Sequence, residues 1–276
     1  MENIINDKVV SFFASVNPAF IFLIIFFVGL ALFWRGSVES RKERSSVFDI
    51  FFISSFFSLF ISRIMFIVNN WSLFSGYIWY WLPYEKYGDT VYFFRLLPWR
   101  FFNIFDGGIE IFVMFVSFIL FATFAVVVIK KWRWKDMFYV IFFSAESMLS
   151  LAFLFSGLSN GNIEWVNQSG VLLIPVVLIF LINGMFKKRG NEGRISLAVF
   201  VIFLINISSA YILYIYIGKE SSVVDIIFAA IFLLWLILAT IFRIKDERKS
   251  TLTIERVSSV RTVSPLEINQ PIKVKK

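Results

Sequence analysis

The stretch GGIEIFVMFVSFILFATFAVVVIKKWRWKDMFYVIFFSAESMLSLAFLFSG, residues 107–157, decides the fold. From 107 to 129 the one charged residue is Glu110, and from 137 to 157 it is Glu146. Between those runs Lys130, Lys131, Arg133 and Lys135 are packed into a short connection. A bilayer core about 30 Å thick takes roughly 20 mostly apolar residues per helix. The stretch therefore reads as two membrane spans joined by a basic turn.

The same alternation extends in both directions. Spans are expected at about 18–34, 50–68, 107–129, 137–157, 171–186, 195–217 and 226–242, giving a seven-helix membrane domain over 1–242. The leading MENIINDK carries Glu2 and Asp7 where a cleaved signal would be positive, so the first span is expected to be retained. Twenty-one Lys and Arg fall in the loops at 35–48, 130–136 and 187–194 and in the tail from 243, against five on the other side. Basic residues favour the cytoplasmic side. The expected architecture is an all-α polytopic protein, N-terminus outside and C-terminus cytoplasmic, in a cytoplasmic membrane. Residues 243–276, rich in Ser, Thr and mixed charge, are expected to form a disordered basic cytoplasmic tail. The segment 69–106 holds Trp71, Tyr77, Trp79, Tyr80, Trp81, Tyr84 and Tyr87. Such rings prefer the headgroup level, so this segment is expected to be a partly helical arm along the outer face. Residues 158–170, LSNGNIEWVNQSG, read as a polar outer loop.

Composition narrows the chemistry. With 59% hydrophobic and 17% charged residues, the chain departs from soluble domains in both directions. It has no Cys and no His, which excludes thiol nucleophiles, Ser-His-Asp triads and His-based zinc or haem sites. The net charge of +8 lies in loops between apolar runs, a membrane pattern and not a nucleic-acid footprint. No metal and no cofactor are expected.

Ionisable groups inside spans cost about 2.5–3.5 kcal/mol on insertion scales, so each needs a partner or a cavity. Arg63 interrupts the second span, beside Ser54, Ser58 and Ser62 at a spacing that lets a neighbouring helix come close. It is a candidate anchor for a lipid phosphate, paired with Glu110 or Glu146. Glu146 sits near mid-membrane and is a candidate for proton transfer. Glu110 follows Asp106-Gly107-Gly108 at the start of the third span, where a carboxylate suits a helix N-terminus. Asn206, Ser208 and Ser209 in the sixth span read as interhelical hydrogen bonds.

The order of these features resembles the prolipoprotein diacylglyceryl transferase family. The residues that carry the resemblance are Ser15-Val16-Asn17-Pro18, Val28-Gly29, Ser62-Arg63-Ile64, Phe105-Asp106-Gly107-Gly108 and Leu158-Ser159-Asn160-Gly161. The resemblance implies transfer of a diacylglyceryl group from phosphatidylglycerol to the lipobox cysteine of secreted prolipoproteins, without metal or soluble cofactor. Where that family has a functional His this chain has Phe112, and where it has a signature Arg this chain has Leu154. Any remaining catalysis would fall to Glu110 or Glu146 as base, with Arg63 and Arg95 or Arg100 clamping phosphate and Asp106 and Asn160 lining the lipid site. Replacement of charged groups by Phe and Leu leads to the expectation that transfer is slow or absent. A non-catalytic lipid-binding or partner-binding membrane protein, or a small-molecule transporter, stays open beside it.

Overall fold

The computed structural model describes residues 7–75, 84–93, 108–186, 192–217 and 222–262. In chain order these form α1 (Asp7–Ser15), α2 (Pro18–Glu39), α3 (Arg44–Asn69), α4 (Trp71–Ser75), a hairpin of β1 (Tyr84–Tyr87) and β2 (Thr90–Phe93), α5 (Ile111–Phe124), α6 (Trp134–Asn160), α7 (Ile163–Phe186), α8 (Glu192–Ile217) and α9 (Val223–Thr262). The last five residues of the third span, Ala125–Ile129, widen into a π-turn. Among the described residues, seven helices are long and apolar enough to cross a membrane: α2, α3, α5 with its π-turn, α6, α7, α8 and the first part of α9. The chain is a multi-pass helical membrane protein.

Helix α6 is the hub, packed against α1, α2, α5, α7, α8 and α9. Lipid tails are as apolar as Leu, so spans associate through close packing and hydrogen bonds. Small residues bring α2 onto α6. A methyl group added at Gly36 would meet Val140 Cγ2 at 2.8 Å, and one at Gly29 would meet Met148 Sδ at 2.5 Å. Ser144 of α6 donates to the Gly29 carbonyl at 2.9 Å, which closes that contact. On α3 the expected stripe of Ser54, Ser58 and Ser62 is buried, and α3 packs on α5. Large rings fill the wider gaps. Phe51 lies 5.5 Å from Phe33 and 5.4 Å from Phe118. Trp235 is stacked with Phe138 and with Phe232.

The basic connections at 35–48 and 130–136 meet at one end of the bundle. Lys42 pairs with Asp136 at 2.9 Å, Lys130 donates to Ser46, and Trp134 donates to the Ala239 carbonyl. This is the basic end of the bundle.

Four features differ from expectation. An extra helix, α1, precedes Pro18; it packs on the far end of α6, with Phe13 5.9 Å from Phe155. The segment between α3 and α5, expected to be a partly helical arm, contains a hairpin as well as the short α4. The register pairs Tyr87 with Thr90 across Gly88-Asp89, a two-residue turn whose Gly88 has φ 58°. The loop expected over 158–170 shrinks to Gly161-Asn162. Gly161 takes a left-handed φ of 66°, and Asn162 Oδ1 accepts from the amides of Glu164 and Trp165, so α7 starts at once. Finally, α9 does not stop at Phe242. The first twenty residues of the tail expected to be disordered are helical, since no Gly or Pro interrupts 243–262. Residues 263–276 lie outside the described residues.

Candidate functional site

At the end opposite the basic loops, three spans are tied by polar side chains. Arg63, one and a half turns before the end of α3, is 4% exposed. Its guanidinium donates to the Gly108 carbonyl at 2.7 Å and lies over the rings of Phe66 and Phe74, 5.4 and 5.5 Å from their centroids. One residue earlier, Ser62 donates to the Glu110 carbonyl at 2.9 Å. Gly108 has φ 106°, a conformation open to glycine, and this turns its carbonyl region toward α3. Six residues on from Arg63, Asn69 Nδ2 donates to Glu110 Oε1 at 3.0 Å and to Ser222 Oγ at 3.1 Å. Ser222 caps α9 reciprocally with Asp225: the Asp225 amide donates to Ser222 Oγ, and the Ser222 amide donates to Asp225 Oδ2.

The result is a polar knot in which Arg63, Asn69, Glu110, Ser222 and Asp225 join α3, the start of α5 and the start of α9. Among the described residues the ion pairs are Arg35–Glu39 and Lys42–Asp136. Arg63 is thus not paired with Glu110 or Glu146, contrary to expectation. One of its hydrogen bonds goes to a backbone carbonyl, and the neutral Asn69 serves the Glu110 carboxylate. Nor does the Glu110 side chain cap α5; it leans across to α3 instead.

Beside the knot lies an aromatic block. Phe112 stacks on Tyr216, with centroids 4.1 Å apart, and Phe153 sits 6.0 Å from Tyr216 and 5.6 Å from Trp165. These rings close the space among α5, α6, α7 and α8 at that end.

The other expected site residues are dispersed. Glu146, in the middle of α6, is fully buried, and neither carboxyl oxygen has a hydrogen-bond partner. Ser208 of α8 is the hydroxyl within interaction range, but it donates to the Leu204 carbonyl of its own helix. Asn160 is exposed and its amide bonds Ser156 one turn back, so it does not join the knot. Arg95, Arg100 and Asp106 lie outside the described residues. Asn69, Ser222, Asp225 and Tyr216 were missed. The Ser222-Val223-Val224-Asp225 sequence before an apolar run is a capping signature and was available to find two of them. No protein family, curated protein or solved structure matches this chain.

Proposed function

We propose that this chain is a cytoplasmic-membrane protein, N-terminus outside, whose polar knot and aromatic arm face the outer leaflet and hold the headgroup of an anionic phospholipid. Phosphatidylglycerol is the proposed lipid, and the diacylglyceryl transferases are the proposed relatives. The observation that carries this reading is the seating of Arg63. A buried guanidinium held over two rings, at the membrane end of three spans, suits a phosphate at headgroup level. The basic excess at the other end supports the orientation.

Transfer itself is proposed to be slow or absent. A lipobox thiol would lose its proton to a base. Its sulfur would then bond to the glyceryl carbon as the carbon–oxygen bond to phosphate breaks, releasing glycerol phosphate. That step needs a base and cations on the leaving phosphate. Phe112 and Leu154 supply neither, Phe112 is spent in a stack with Tyr216, and Glu110 is engaged by Asn69. Losing such charge-stabilising groups commonly costs about 10²–10³ in rate for each.

The test incubates the purified protein with phosphatidylglycerol and a lipobox peptide, and measures the peptide mass and the lipid that co-purifies. The expected result is an unchanged peptide with phosphatidylglycerol enriched over the bulk membrane, and the enrichment lost in Arg63→Leu. A gain of one diacylglyceryl group, abolished by Arg63→Leu or Glu146→Gln, would make the chain an active transferase. Equal lipid content in parent and variant would remove the headgroup reading. Reporter fusions after Arg189 and Lys249 should report cytoplasm, and an insertion at Gly161 should report outside; the reverse would invert the orientation.

A further inference from the structure

Helix α8 carries an amide on the face it turns away from the protein. Val201, Leu204, Ile205, Ser208, Ser209, Ile212 and Ile215 are buried against the bundle. Val199, Phe203, Asn206, Ile207, Ala210, Tyr214 and Ile217 are exposed. At 100° per residue the exposed set forms one stripe about 100° wide, with Ala210 near its middle and Asn206 along one edge. Asn206 stands about 16 Å from the nearer end of the helix, which puts it deep in the hydrocarbon layer. The comparable exposed stripes of α3, α7 and α9 present Phe56, Ile174 and Leu234 at mid-helix. The expectation that Asn206 bonds a neighbouring helix of its own chain is not met: Ser208 bonds within α8, and Asn206 faces outward.

An amide in lipid has one acceptor oxygen and two donor hydrogens with nothing to meet them, and that position is costly unless another polar group arrives. We infer that a second copy of this chain docks on this stripe, α8 against α8, with the two Asn206 side chains bonded to each other across a two-fold axis. An amide is self-complementary. Each NH₂ can donate to the other oxygen, so one symmetric contact satisfies both residues at once. Ala210, one turn away on the same stripe, lets the two backbones come close enough for that exchange. The buried face of α8 is already occupied, so the stripe is available only to a chain from outside.

The chain contains no Cys, so single-Cys variants report contacts cleanly. In native membranes, oxidative cross-linking of Ala210→Cys and Phe203→Cys should give a dimer, while Ile174→Cys on α7 should not. Asn206→Leu suits lipid and should leave the melting temperature of the protomer unchanged or higher. Combined with Ala210→Cys, it should cut the dimer yield by about tenfold or more, and Asn206→Gln should largely restore it. The proposal is overturned if cross-linking at Ala210→Cys persists with Asn206→Leu, if no dimer forms at either stripe position, or if Ala210→Cys joins to a different protein in place of a second copy.

Discussion

Phe112 lies flat against Tyr216, with 4.1 Å between centroids and 18° between planes. Phe112 is almost wholly buried, and Tyr216 also meets Phe153, so the stack bridges α5, α6 and α8 beside the polar knot. Its strength comes from ring area and van der Waals contact rather than from the phenolic hydroxyl. Tyr216→Phe should therefore be close to neutral, whereas Phe112→Ala should lower stability by about 3 kcal/mol. Thermal melting in one detergent separates the two; equal losses would mean that the hydroxyl, not the stack, holds the helices.

The approach of α2 to α6 gives a comparison in which the nominally tighter contact is the cheaper one to crowd. At Gly29 the obstacle is Cγ and Sδ of Met148, an unbranched and flexible side chain, while at Gly36 it is the β-branched Val140. Gly36→Ala should cost about 1–3 kcal/mol and Gly29→Ala clearly less. Adding Val140→Ala should recover much of the first loss. A larger penalty at Gly29 would show that Met148 is held rigidly.

Asn69 holds Glu110 and Ser222 with one amide group. Asn69→Leu removes both bonds and should lower stability by about 1–3 kcal/mol, while Glu110→Gln keeps an acceptor for Asn69 and should be milder. If Glu110→Gln proves the more damaging of the two, the charge of Glu110 matters beyond its contact with Asn69.

Glu146 is buried with neither oxygen bonded, and such a group weakens a fold. Glu146→Met, similar in shape and wholly apolar, should raise the melting temperature by an amount corresponding to about 1 kcal/mol or more. A lower melting temperature would show that this carboxyl holds a group the bundle needs.

At the basic end, hydrogen bonds from Ser46 and then Ser45 hold the exposed Glu43 carboxyl below its ordinary range. A carboxylate favoured by the fold adds stability that is complete above its unfolded pKa, about 4.3, and is lost as pH falls through the lower folded value. The melting-temperature gap between the parent and Glu43→Gln should hold steady above about pH 5 and close below it. A gap constant from pH 7 to pH 3 would show that the two Ser hydroxyls do not distinguish the ionised form.

The seven spans were legible because charge is excluded from hydrocarbon, and Arg63 and Glu146 were conspicuous for the same reason. What stayed hidden has separate physical causes. Helix α1 was not foreseen, because the first span was placed from residue 18 and the nine residues of α1 are too few to cross a bilayer. Polar residues made 163–170 look like a loop, although Asn162 caps a helix there. The hairpin was obscured by its aromatic content, which dominated Gly88-Asp89 as a signal. Asn69 looked like an ordinary helix end, since its importance depends on Glu110 and Ser222, which are distant in sequence. For α8, apolar on all sides, periodicity could not tell which way Asn206 points.

The length of α9 has a mechanical consequence. Forty helical residues make a rod about 60 Å long. One end of that rod is fastened at Ser222 to Asn69, and through it to Glu110. Trp134 grips it again at Ala239, leaving more than twenty residues beyond that support. A rod gripped along its membrane part is a lever. With the Ala239 contact as fulcrum, a tilt of about 10° would sweep the far end, roughly 35 Å away, through about 6 Å, so a rearrangement around Asn69 would be carried to the other side of the bundle.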